Sequence, residues 1–362
     1  MATTVGPLAV PASPARATAS GGAAVAALPW QLVLLVLANT CVVAGLVWDI
    51  SWHMTIGRDT FWTPAHLLIY TGGALAAGGS GVEVLRRWWR GAAAPSDGVT
   101  VLGPFRGPLG GWLAIWGGVA MLTSAPFDDW WHNAYGLDVR IVSPPHTVLA
   151  LGFLAILLGA LVMAASAQHR ADDGTADGIS AASPWVVAYV MGIWLVMVTI
   201  FTTQFHDRPL MHRASFYAVS ALAYPKILLA ALRTVRLRWA ATAAAGVFTA
   251  LLCLQAWILP LFPGSPLLGP IRTPVTHMVN MDFPLLLLAP ALVLDLVWPR
   301  LAALGAWAQA AVTGALFTAV HVATQWPFAM LLMGPLGRTP FFAADNIPYQ
   351  MPPTWPKPQG LF

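Results

Sequence analysis

Apolar runs of about twenty residues, broken by short polar stretches, dominate this chain. They fall at roughly 29–52, 64–86, 109–127, 144–168, 183–205, 214–233, 238–261, 283–299 and 301–325. A helix of ~20 apolar residues matches the ~30 Å of hydrocarbon in a bilayer. It also satisfies its own backbone groups there, which lipid does not do. The pattern predicts an all-α, polytopic integral membrane protein with about nine transmembrane helices. The sixth run, which contains Pro225-Lys226, and the short eighth depart most from it.

Composition agrees: 58% of the 362 residues are hydrophobic and 9% charged, against about 25% charged in a soluble domain. Glu83 is the one glutamate, and Lys226 and Lys357 are the two lysines. The net charge of +4 does not point to nucleic acid, because most arginines sit at the ends of apolar runs. Arg86, Arg87, Arg90 and Arg106, then Arg170, then Arg233, Arg236 and Arg238, then Arg300 fall on one side of the predicted topology. By the positive-inside rule that side is cytoplasmic. The expectation is a multi-pass protein of the inner (plasma) membrane with its N-terminus inside. Arg58, Arg140, Arg208, Arg213, Arg272 and Arg338 run against the bias; the first three have an aspartate within two residues, so local pairing would account for them. Cys41 and Cys253 lie inside apolar runs and read as small core residues.

The chain is expected to divide into a disordered N-terminal tail (1–28), a four-helix half (29–168), a polar linker (169–182), a second membrane half (183–334) and a tail rich in proline and aromatics (335–362). The linker, with Asp172, Asp173 and Asp177, reads as a solvated cytoplasmic loop. The last tail is expected across the outer surface.

Against this apolar background one corner stands out. Between the first two runs the chain reads Asp49-x-x-Trp52-His53-x-x-x-Gly57-x-Asp59, then Thr63-Pro64-Ala65-His66, then Gly72. Between the third and fourth it reads Asp128-x-x-Trp131-His132-x-x-x-Gly136-x-Asp138, then Ser143-Pro144-Pro145-His146, then Gly152. Both copies run out and back in the same sense, so a parallel helix-hairpin repeat is expected in this half. Asp49 and His53, at i and i+4, share one helix face. Pro64 suits the first turn of the next helix, which brings His66 back to the same corner. Asp128, His132 and His146 repeat the arrangement. An ion pair with Arg58, a histidine capping a carbonyl and ordinary interfacial tryptophans would explain any one of these residues alone. Convergence of three potential ligands near hydrocarbon, and its recurrence, favours a metal site, with the second motif as a second site, a shared one or a structural echo. Two histidines and a carboxylate suit iron, zinc or copper.

Trp52-His53-Met54-Thr55, Arg58-Asp59-Thr60 and Thr63-Pro64-Ala65-His66 resemble the signature of the C subunit of particulate methane and ammonia monooxygenases, tightly over 48–73 and loosely to about 152. The resemblance implies that Asp49, His53 and His66 ligate copper. It also implies a second copper position at Asp128, His132 and His146, with aspartate where the family has asparagine. It further implies oxygen-dependent oxidation of a small apolar substrate, with other monooxygenase-like subunits or further copies of the chain as partners. The second half of the chain has no counterpart in that resemblance.

Remaining polar residues are weaker candidates. His206-Asp207-Arg208 with His212-Arg213 reads as a salt-bridged surface cap, or as a second ligand group. His277, Met278, Met281 and Asp282 offer soft ligands suited to Cu(I), although methionines also fill gaps. His321 and Gln325 predict an interhelical hydrogen bond, Asp295 an ion pair with Arg300, and His169 a solvated side chain. Three functions stay open: an oxygen-activating copper subunit, a copper permease or chaperone without oxygen chemistry, and a structural membrane subunit carrying relic motifs.

Overall fold

The computed structural model describes residues 28–57, 60–91, 98–136, 143–172 and 183–353. The N-terminal tail, Arg58, Asp59, Asp138, Arg140, most of the linker and the end of the C-terminal tail lie outside them.

The first half is two helix hairpins. Helices α1 (Trp30–Thr55) and α2 (Pro64–Trp89) form one, and α3 (Leu109–Tyr135) and α4 (Pro144–Asp172) the other. Glycines let each pair approach closely. A Cβ added at Gly72 would come within 2.7 Å of the Ala38 carbonyl, and one at Gly152 within 2.8 Å of the Gly117 carbonyl. The equivalent glycines of the two motifs thus sit at equivalent helix contacts, where small residues permit backbone packing in lipid. A short antiparallel ribbon that the periodicity does not announce, β1 (Gly98–Leu102) and β2 (Phe105–Pro108), joins the hairpins.

The second half comprises α5 (Ser183–Phe201), the single turn α6 (Thr203–His206), α7 (Ala214–Thr234), α8 (Ala240–Ile258), α9 (Leu288–Leu301) and α10 (Ala306–Met333). Helix α5 packs on α7 and α8 and also meets α1 and α4, so it joins the two halves. Its buried face, from Val187 to Val196, sits at the centre of a continuous apolar core.

Among the described residues six helices are long and apolar enough to cross a membrane: 30–55, 144–169, 183–201, 214–234, 240–261 and 306–333. The chain is therefore an all-α protein with the character of a membrane protein. Nine spans are not reached. Helices α2 and α3 have the length, at 26 and 27 residues, but are diluted with glycine. The eighth run begins as irregular chain, and α9 has only 14 residues, about 21 Å of helix, too short for the hydrocarbon core.

Three polar expectations are corrected. Asp295 does not pair with Arg300. It is buried and accepts from the Ala241 and Thr242 amides at 3.1 and 2.7 Å, which caps the start of α8. Arg208 is not paired with its neighbour Asp207. It is 2% exposed and binds Asp282, 74 residues away, through Nε at 2.9 Å and Nη2 at 2.6 Å. The His321 ring makes no hydrogen bond among the described residues; Gln325 Oε1 instead accepts from the Leu286 amide in the irregular chain ahead of α9. His169 is exposed, as expected, but lies on α4 and accepts from Arg236 at 2.7 Å.

Candidate metal centre

The ends of α1 and α3 and the starts of α2 and α4 form the two corners. Each first helix stops at a glycine in the left-handed region, Gly57 (φ 81°) and Gly136 (φ 96°), a conformation that favours glycine. Each second helix starts with a hydroxyl cap. Thr63 Oγ1 accepts from the His66 amide at 3.4 Å and Ser143 Oγ from the His146 amide at 3.3 Å. Pro64 and Pro144 then occupy the first helical position. Because the cap fixes the first turn, it also fixes where the histidine three residues on must point.

The side chains meet as the spacing requires. In the first corner Asp49 Oδ1 lies 3.2 Å from His66 Nε2, and Asp49 Oδ2 lies 3.8 Å from His53 Nε2. In the second, Asp128 Oδ1 lies 3.3 Å from His146 Nε2, and Asp128 Oδ2 lies 3.4 Å from His132 Nε2. One ligand atom each from Asp128, His132 and His146 lie within 4.8 Å of one another. Among the described residues this is the one group of three such side chains gathered so tightly. The first corner is gathered around Asp49 instead, with His53 standing off.

Two features suit both corners to a cation. Asp49 Oδ1 and Asp128 Oδ1 are buried atoms that receive no hydrogen bond, although an imidazole nitrogen stands 3.2–3.3 Å away. The contact is therefore close but not aligned as N–H···O. A buried carboxylate oxygen without a donor needs an explanation, and a bound ion supplies one. The second feature is tautomeric. His66 Nδ1 donates to the Thr60 carbonyl at 2.9 Å, and His132 Nδ1 to the Gly136 carbonyl at 3.3 Å. In the neutral ring that leaves the Nε2 lone pair directed at the carboxylate side, as a metal ligand requires.

No family model, no curated protein and no solved structure matches this chain.

The secondary candidates do not form one cluster. His206 is buried, with Nε2 3.0 Å from Ser220 Oγ. Burial pulls its imidazole down to about 4, partly offset by the Thr202 backbone, so the ring is neutral. His212 Nε2 donates to the Trp326 carbonyl at 3.1 Å, away from His206. The group is a buried anchor rather than a surface cap. His277, Met278 and Met281 separate because their segment is extended, and an extended chain sends neighbours to different sides. His277 is exposed beside Thr276, Met278 faces an apolar groove walled by Trp48 and Trp52, and Met281 faces a chamber beside His53.

Sequence reasoning missed the lid of the first corner. Two irregular segments, 262–287 and 334–353, fold over the end of α1. Ser51 Oγ donates to the Val279 carbonyl at 2.6 Å, and the Val279 amide donates to Thr55 Oγ1 at 2.7 Å. Leu267 and Tyr349 give their amides to the Ile56 and Met54 carbonyls, satisfying groups a helix end leaves open. Asn346 ties the segments together through the Met278 carbonyl and Asn280. No periodicity marks such chain; the polar interruptions Asn280, Asp282 and Asn346 were the available signal.

Proposed function

We propose that this chain is an integral-membrane metal protein with two equivalent Asp/His/His sites, Asp49-His53-His66 and Asp128-His132-His146. The observation that carries this is the duplicated misaligned contact: in both corners a buried carboxylate oxygen faces an imidazole Nε2 without a hydrogen bond between them. Two histidines and a carboxylate from two helix ends leave coordination positions open, as catalytic sites need. The matching caps, terminal glycines and ligands support reading α1–α2 and α3–α4 as a parallel repeat. The lengths of α2 and α3 support counting both as spans, with the triads on the outer face of the plasma membrane.

Copper is the metal we propose, on the resemblance of the first motif to the monooxygenase C subunit. The function that follows is participation in oxygen-dependent oxidation of a small apolar substrate, alongside further subunits. Copper bound there would supply redox and Lewis-acid chemistry. The chain's own part is to hold the His66 and His132 rings through Nδ1, so that Nε2 faces the carboxylate. An apolar groove of about 550 Å³ also runs along α1, walled by Val43, Val47, Trp48 and Trp52. Copper handling without oxygen chemistry is the second reading, favoured by the methionines beside His53.

Purified protein reconstituted with copper, iron or zinc tests the first claim through metal content. Two bound ions, each lost separately in His66→Ala and His146→Ala, are expected. Identical metal content in wild type and both variants sinks the assignment. Copper-dependent oxygen consumption with apolar substrates, set against copper uptake into proteoliposomes, separates the two readings.

A further inference from the structure

Beside the first corner the second half of the chain encloses a chamber of about 320 Å³. His53, with 44% of its side chain exposed, lines it. The opposite walls are unusual in their chemistry. Met54 at the end of α1, Met281 in the first lid segment and Met351 in the second each line the chamber, with His206 and Asp207 of α6 and its cap. Three of the chain's 12 methionines thus come from three separate segments to one small space.

The charge of the chamber is equally specific. Arg208 is the nearest cation in sequence, but its Nε and Nη2 are committed to Asp282 and its Nη1 to the Ala344 carbonyl. The Asp207 side chain is left without a hydrogen bond or ion pair among the described residues. His206 is 5% exposed and lines the chamber next to Asp207. Thioethers are soft, neutral ligands that select monovalent copper, and imidazole binds it as well. A carboxylate nearby supplies the compensating charge. Ordinary gap filling explains one methionine; it does not explain three around a carboxylate without an ion pair and a buried imidazole.

We propose that this chamber binds a soft monovalent metal ion, Cu(I) by its ligand chemistry, and passes it to the first corner through His53. The binding step stands on the chamber alone, and the transfer step rests on the reading of Asp49, His53 and His66 as a metal site. No electron moves in either step. The ion exchanges thioethers for the imidazole and carboxylate of the corner.

The test uses the full chain in detergent under anaerobic conditions, with one equivalent of Cu(I) or of redox-inert Ag(I). X-ray absorption is expected to show a sulfur shell in the wild type. Met281→Leu/Met351→Leu, which nearly conserves volume, is expected to lose most of that shell, leaving Met54, and to keep its thermal stability. Only nitrogen and oxygen neighbours, or a sulfur shell unchanged in the double variant, overturns the binding step. Transfer is read in an Asp128→Ala background, where the first corner is the remaining triad. The methionine double variant is expected to load that corner severalfold more slowly, to the same final copper content. An unchanged loading rate overturns the transfer. A wild-type corner that never holds copper defeats the reading of that corner, while the sulfur shell still reports on the chamber.

Discussion

The two corners share almost every local device and differ in what lies over them. Both end a helix on a left-handed glycine, cap the next with a hydroxyl, and set a carboxylate against two imidazoles. At Gly57, however, an added Cβ would overlap the Tyr349 hydroxyl, whereas at Gly136 it would meet nothing within 4 Å among the described residues. The first corner is roofed by the chain's own C-terminal segments. The second, among the described residues, closes more tightly on itself. The same motif thus serves in two environments: one enclosed and joined to a chamber, the other compact.

Ligand removal should break the symmetry most. Ala in place of an outer-shell partner already lowers metal affinity about 10–100-fold, so loss of a direct ligand exceeds that. His132→Ala is expected to abolish binding at the second corner, because all three ligand atoms converge there. His53→Ala should weaken the first corner less, since Nε2 of His53 stands 3.8 Å from Asp49 while His66 stands 3.2 Å away. Titration of each variant by metal competition reads the two affinities. Equal losses would mean that the difference in gathering has no energetic content.

The next contrast is steric. Gly57→Ala and Gly136→Ala both force a side chain into the left-handed region, at about 1–2 kcal/mol. Gly57→Ala must also displace Tyr349, an overpacking cost of about 1–3 kcal/mol more. Thermal unfolding in detergent should therefore show a larger drop for Gly57→Ala. A matching drop for the two would show that the roof on the first corner is loosely held.

How legible this was follows from the kind of chain involved. Helix hairpins have period and terminal signals, so Asp49, His53, Pro64 and His66 could be placed on one corner from spacing alone. The roof has neither. Val279 and Tyr349 reach α1 through backbone groups, which any residue carries, so sequence identity does not disclose them. Arg208 shows the limit for charges. Asp207 is adjacent, yet the guanidinium reaches Asp282, because pairing follows the fold and not the interval. Asp295 was misassigned for the same reason: its partners are amides that only the placement of α8 brings within reach.

A smaller effect separates the corners by pH, because the enclosed corner alone borders Asp207. Burial, with the Asp282 carboxylate nearby, pushes the Asp207 carboxyl up to about 7, partly offset by Arg208. A carboxyl raised in the folded state contributes stability below its unfolded value, near 3.8, that is lost as pH rises through about 7. The metal-free protein should therefore lose stability across that window, and Asp207→Asn should flatten the loss. Thermal unfolding from pH 4 to 8 measures it. A profile unchanged in Asp207→Asn would mean that the carboxylate is well solvated in the chamber.

The smallest expected effect tests where the corners ought to be the same. Thr63→Val and Ser143→Ala each delete only the capping hydroxyl of a second helix. The two bonds are long, 3.4 and 3.3 Å, so each loss should fall near the low end for a cap, about 0.5 kcal/mol. The consequence for the site is positional: the cap orients the first turn, and His66 and His146 ride on it. Both variants should weaken metal binding by similar small factors, despite the C-terminal roof over the first corner. If Thr63→Val were silent while Ser143→Ala was not, the roof would be holding His66 in place without its cap. The C-terminal segments would then be part of the first site's positioning, and the two corners would have diverged in how they hold a ligand as well as in what covers it.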